Sequence, residues 1–267
     1  MRGVGITLLG LVGAAAAAAA AAEAAPLAPI CTDRPGKSSS TCTVPKGHWQ
    51  VESSVADWSL TKGGGSRGTS LALGSTAVKY GVSDTLHVEI AASPFVRNRV
   101  RSEEDRTTVS GIGDVSVKAK RRLTAADAHF TAAIVPFVKL PAARSGIGNG
   151  KVEGGLVVPV NWSIAGTPLA LSSSPELDFV ADADGSGYHL AGASTLSLGF
   201  AATGRLSLAA ELWTGWDWDE QTTRQASLGT NAALILSDTV QIDAQVDFGL
   251  TRDSADIEIA SGLSMRF

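Results

Sequence analysis

The chain has 267 residues, 44% of them hydrophobic, and a formal net charge of -4. That length suits a single all-β barrel domain, and the acidic balance, without basic blocks, excludes a nucleic-acid partner, whose backbone must be met by clustered Lys and Arg. One cationic cluster stands out, Lys118, Lys120, Arg121 and Arg122, interleaved with Val and Ala at strand spacing.

The opening MRGVGITLLGLVGAAAAAAAAAEAAP has a charged start at Arg2, a long apolar stretch, and small residues suited to a signal peptidase near Ala22-Glu23-Ala24. Residues 1–24 therefore read as a cleaved export signal. A membrane anchor is the competing reading, but its second half is Ala, which is weakly driven into lipid. Residues 25–48 read as a periplasmic N-terminal segment. It holds the chain's two cysteines, Cys31 and Cys42, around the turn-rich TDRPGKSSST. In an oxidising compartment such a pair closes a small loop. Zinc is disfavoured, because two thiolates without a nearby His pair do not complete a tetrahedral site. No metal and no cofactor are expected.

From Trp49 onward apolar residues alternate with small or polar ones, broken by Gly, Ser, Asp and Pro, with no sustained helical period. Twelve such runs are countable, at roughly 49–60, 69–82, 85–97, 112–123, 129–142, 152–164, 168–181, 188–202, 205–218, 226–236, 240–251 and 255–267. Their connections alternate between short (SD, TAADA, AGT, TG, SD) and long (TKGGGSRG, RNRVRSEEDRTTVSG, ARSGIGNGK, DADGSGY, DEQTTRQAS, TRDSAD). Alternating short turns and long loops with an even strand count predict an all-β fold, a closed antiparallel transmembrane β-barrel of about 12 strands over residues 49–267. Placing the apolar parity toward lipid puts Tyr80, Phe130, Trp162, Phe200 and Phe267 near short-turn ends, and Phe179, Trp216, Trp218 and Phe248 near long-loop ends. These form two aromatic girdles. A soluble sandwich also alternates its inner faces, but it needs neither girdles nor a terminal Phe.

The tail Leu263, Met265, Phe267 on one parity resembles the terminal signal read by the barrel assembly machinery of Gram-negative outer membranes. Outer-membrane lipid and that machinery are the expected partners, with small-molecule solutes. The stretches CTDRPGKSSSTCTVPKGHWQVE, GIGDVSVKAKRRL and PFVKLPAARSGIGNGKVEGGLVVPV resemble the outer-membrane channel family named for the meta-pathway of phenol degradation, across about Cys31 to Phe267. The resemblance implies a bacterial outer-membrane, porin-like transporter of small solutes, hydrophobic or aromatic compounds among them. It supplies no catalytic residues.

The residues themselves give little support to an enzyme. His48, His87, His129 and His189 form no His-x-Ser arrangement, and no His-Asp pair is visible on an outer loop. His87 alternates with Glu89, more simply a solvated lumen pair than an acid/base couple. The inner parity carries the pore-lining set Lys79, Glu89, Lys118, Lys120, Arg122, Lys139, Glu211, Asp243 and Asp247, joined by Glu153, Glu176 and Asp178. Phe95, Phe137 and Trp213 on that parity would narrow the path. The alternative to a channel is a barrel plugged by its own side chains, or by residues 25–46, and serving as a scaffold.

Finally, VSDTL at 82–86 and LSDTV at 236–240 repeat one turn. Opposed residues must share a face, which predicts three-residue turns setting Leu236 against Val240, Leu234 against Ile242, Val82 against Leu86 and Tyr80 against Val88. Lys79 then faces Glu89 in a wet lumen.

Overall fold

A computed structural model describes residues 27–219 and 223–267, so the signal-peptide reading of residues 1–24 lies outside the described residues. The barrel is closed and antiparallel, with twelve strands. β1 is Trp49–Gly63. β2 runs Ser66–Leu73 and then Thr76–Ser83, β3 Leu86–Ala92 and then Phe95–Arg101, and β4 Arg106–Gly111 and then Val115–Arg122. β5 is Phe130–Leu140, β6 Glu153–Val157 and then Val160–Ser163, and β7 Leu169–Ser173 and then Glu176–Ala181. β8 (Tyr188–Ala201), β9 (Leu206–Asp217), β10 (Thr223–Ser237), β11 (Val240–Gly249) and β12 (Ile257–Arg266) are unbroken.

The last strand pairs with the first from Gln50↔Arg266 to Leu60↔Ile257. Trp49 and Phe267 exchange backbone hydrogen bonds of 3.1 and 2.8 Å at the seam. Closure leaves no row of unpaired N–H and C=O groups, which a membrane would penalise by several kcal/mol per group.

Alternation sorts the side chains into an inverted pattern. Ile90 is 58% exposed and Phe179 60%, whereas Lys79 and Glu211 are each 2% exposed. An apolar outer band around a polar interior is the signature of a transmembrane barrel. On β11, Ile242 and Phe248 face outward while Gln241, Asp243 and Asp247 are buried within. Phe130, Trp162, Phe200 and Phe267 are exposed near the short-turn end, and Phe179, Trp218 and Phe248 near the other.

Both repeated hairpins keep the expected register but make it differently. Leu234 faces Ile242, Ala232 faces Ala244, Tyr80 faces Val88 and Lys79 faces Glu89. Val240, however, pairs with Ser237 and Leu86 with Ser83, so Leu236 and Val82 are bulged residues beside two-residue turns. A two-residue turn plus one bulge preserves facing as a three-residue turn would, and adds twist.

Two expected outer loops are instead strand. Gly63 pairs with Ser66 across Gly64 and Gly65, whose φ values of +56° and +75° suit the tight turn that follows the sheet's twist. Most of RNRVRSEEDRTTVSG is paired hairpin, from Val96↔Gly111 to Arg101↔Arg106. Breaks at Gly74-Ser75, Ser93-Pro94 and Ile112–Asp114 reset parity within β2–β4. Phe95, expected in the lumen, consequently faces outward beside Leu73.

Candidate functional site: a lumen holding the N-terminal segment

The chain before β1 reads as a periplasmic segment, but from Ile30, whose N–H donates to the Asp238 carbonyl at 2.8 Å, it lies inside the barrel. Cys31 and Cys42 are joined, with an S–S distance of 2.07 Å, and close a loop of sequence separation 11. The turn-forming Asp-Arg-Pro-Gly run at its head cannot pair with the sheet, so its polar groups take partners from lumen side chains.

Two charges lead. Arg34 Nη2 lies 3.0 Å from Asp243 Oδ1, and its Nη1 donates to Ser54 Oγ at 2.6 Å. Asp33 sits between Lys79 Nζ, at 2.6 Å, and the Lys120 ammonium group. Burial alone would raise the Asp33 carboxyl, but the ammonium groups of Lys120 and Lys79 prevail and hold it well below the usual carboxylate range. Lys79 also reaches Glu52 at 2.6 Å and Glu89 at 3.6 Å, so the expected cross-strand pair is one edge of a buried network rather than a wet contact.

Glu211 receives the other side of the loop. The Lys37 N–H donates to Oε1 at 2.6 Å and the Ser38 N–H to Oε2 at 3.2 Å, with the Ser38 hydroxyl on the same carboxylate. The Gly36 N–H donates to Gln245 Oε1 at 2.8 Å. Gly36 has φ +99°, and a Cβ there would lie 3.1 Å from Glu211 and from Asn231, so the close approach favours glycine twice over. Lys37 pairs with Glu258 and lies 4.5 Å over the Trp213 ring. Thr41 meets Thr131 at 2.6 Å, and the Val44 N–H donates to His87 Nδ1 at 3.1 Å. His87, weighed above as half of an acid/base couple, accepts a structural hydrogen bond.

The nine residues expected along the pore all point inward. Lys79, Lys120, Glu211 and Asp243 hold the inserted segment. Asp247 accepts a hydrogen bond from Gln245, and Lys118 lies 3.6 Å from Glu89. Lys139 pairs with Asp114 at 3.1 Å and Glu153 at 2.8 Å. Arg122 turns to the Asp84 carbonyl, 2.9 Å away, at the short-turn end. Phe137 and Trp213 are inside, each lying against a glycine, Gly155 and Gly215. Met265, Leu263 and Phe267 face outward on the closing strand.

The inserted segment divides the interior. A cavity of about 600 Å³ runs between it and the wall of β6–β11, bounded by Pro35, Ser39, Asn161, Ala170, Ser197 and Ala233. A second of about 300 Å³ lies toward β1–β5, beside Glu52, Ala77, Glu89 and Lys118.

One arrangement escaped sequence inspection. His189 Nδ1 is 2.8 Å from Asp182 and Nε2 is 2.7 Å from Asp217, so a His–Asp cluster does stand at the outer end. Pairing needs the β7–β8 loop folded onto β9, which no linear spacing reveals.

Solved barrels share this architecture. The NanC porin is 11% identical, with a TM-score of 0.50 over 81% of this chain and 98% of that one. The translocator domain of the autotransporter NalP from Neisseria meningitidis is 12% identical, with a TM-score of 0.52 over 84% of this chain and 90% of that one. At such identities the likeness concerns the fold alone. No curated protein matches the sequence. The family model described as "Putative MetA-pathway of phenol degradation" matches residues 32–267, from the residue after Cys31 through the whole barrel, and the chain belongs to that family.

Proposed function

We propose that this protein is an outer-membrane channel for passive passage of small solutes, hydrophobic or aromatic compounds among them, along the space between its inserted N-terminal segment and the barrel wall. The cavity of about 600 Å³ beside β6–β11 carries this reading. Its wall mixes Ala, Ser and Asn with Ile235, and its charged members Asp33, Arg34 and Glu211 already have partners, so it suits small uncharged molecules better than ions. Lumen charges of both signs, most of them already paired, give no single-sign ring for ion selection. In this reading an export signal delivers the chain, and the nine inward side chains line the pore or fix the segment that narrows it.

Purified protein refolded into liposomes should admit small uncharged aromatic and aliphatic solutes, with only weak ion conductance. The second reading, a plugged scaffold, is favoured by the density of ion pairs around Asp33 and Arg34. Exclusion of every solute by folded protein, with entry restored by Arg34→Ala, would favour the scaffold.

A further inference from the structure

The outer rim of β1–β4 carries a row of cations that sequence inspection does not assemble. Lys62 on β1 lies opposite Arg67 on β2, Arg67 opposite Arg101 on β3, and Arg101 opposite Arg106 on β4. Positive charges thus occupy facing positions on four consecutive strands, an arrangement that repels itself. Arg99 and Arg97 extend it down β3, opposite Thr108 and Ser110. Among the described residues none of these six side chains forms an ion pair or a hydrogen bond. Arg99 Nε is buried without a partner. The nearby Asp105 carboxylate is occupied by the Arg106 N–H at 2.6 Å and the Thr107 hydroxyl at 3.2 Å.

The row faces away from the lumen. Asn98, of opposite parity to Arg97 and Arg99, accepts a hydrogen bond from lumen-facing Ser70 at 2.9 Å. Arg97 shares the outward side with Leu71 and Trp58, which stand opposite one another on β2 and β1. Below the arginines the same face of β3 reads Leu86, Val88, Ile90, Ala92 and Phe95, ten residues end to end and about the length of one membrane strand. The cations therefore stand where the hydrocarbon ends.

We propose that this row binds a phosphorylated glycolipid of the outer leaflet, its phosphates on the guanidinium groups of Arg97, Arg99 and Arg101 and its acyl chains along the apolar face of β2–β4. Guanidinium forks match phosphate oxygens two at a time, and the facing hydroxyls of Thr108 and Ser110 add donors. A free anion in solution would need the charges but not the apolar skirt beneath them. The proposal depends on placement in the outer membrane with the long-loop end outward, and it is independent of whether the lumen conducts.

The test uses the full chain refolded in detergent, with native mass spectrometry counting bound lipid and heat-modifiable gel mobility confirming the fold of each variant. Diphosphorylated lipid A should bind, and its fully dephosphorylated form should not. The triple variant R97Q/R99Q/R101Q should bind at least about tenfold more weakly, as expected when charge-assisted hydrogen bonds are lost. R97K/R99K/R101K should fall between the two, and K151Q/R224Q/R252Q, altered elsewhere at the outer end, should match the unaltered protein. If the triple glutamine variant does not fold, Arg101→Gln alone carries the comparison, with a loss of about fivefold expected. Equal binding by the unaltered and glutamine proteins, equal binding of dephosphorylated lipid, or displacement by equimolar inorganic phosphate would each overturn the assignment.

Discussion

Asp33 serves two ammonium groups at once, and this makes the anchorage of the inserted loop sensitive to acid in a defined sense. Its folded pKa lies below its unfolded one, so its contribution is fully present above the unfolded value of about 3.9 and is lost only as pH falls through the lower folded value. Hydrogen-exchange protection of residues 33–41 should accordingly stay flat between about pH 8 and about pH 5 and decline only in stronger acid. A decline centred near neutrality would show that another group governs the anchorage. Glu211 offers a harsher perturbation. Replacing it by Ala leaves the Lys37 and Ser38 N–H groups without their acceptor, at a cost of about 1–3 kcal/mol for each donor left buried. Exchange at residues 36–39 should rise while the barrel amides stay protected; unchanged exchange would mean that water replaces the carboxylate without loss.

At the scale of elements, the segment before β1 and the wall come into close backbone contact at Gly81. A Cβ on Gly81 would lie 2.0 Å from the Pro45 carbonyl oxygen and 2.6 Å from that of Val44, atoms that no rotamer change can move. Gly81→Ala should therefore displace residues 44–46 at a cost of about 1–3 kcal/mol, the usual range for overpacking. Limited proteolysis near Lys46 reports it, and an uncut chain with normal gel mobility would count against so tight a contact. The interruptions in β2–β4 act at the same scale. Ser93-Pro94 lies outside the ladder of β3, because proline has no N–H to give it. The strand resumes with opposite parity, and this turns Phe95, Arg97, Arg99 and Arg101 outward. Pro94 is visible in the sequence, but the parity change depends on how many residues the break leaves unpaired, which is set by the neighbouring strands.

For the whole molecule, closure runs along the ladder of β1 and β12 and ends at Phe267. Its N–H and C=O both pair with Trp49, so removing it costs two seam hydrogen bonds, of about 0.5–1.5 kcal/mol each, and an exposed ring at the membrane interface. Cells producing the chain without Phe267 should show reduced outer-membrane levels, and the refolded protein should open at a lower temperature on heat-modifiability gels. Normal levels in the membrane would argue against a role for the terminal residue in assembly.

Twelve strands, their direction, the outward apolar band and the register of Lys79 against Glu89 follow from the sequence because each is local: parity repeats every second residue, and a short turn fixes which residues face. Cys31 and Cys42 were legible as a pair for the same reason. What fills the barrel was not. Asp33 and Arg34 look like turn residues until Lys79, Lys120 and Asp243, which lie up to 209 positions away along the chain, are brought around them. The cationic row of Lys62, Arg67, Arg101 and Arg106 and the carboxylates flanking His189 share that origin, since each joins side chains from separate strands or loops. Alternation tells a residue which face of the wall it occupies; only the closed barrel determines what it meets there.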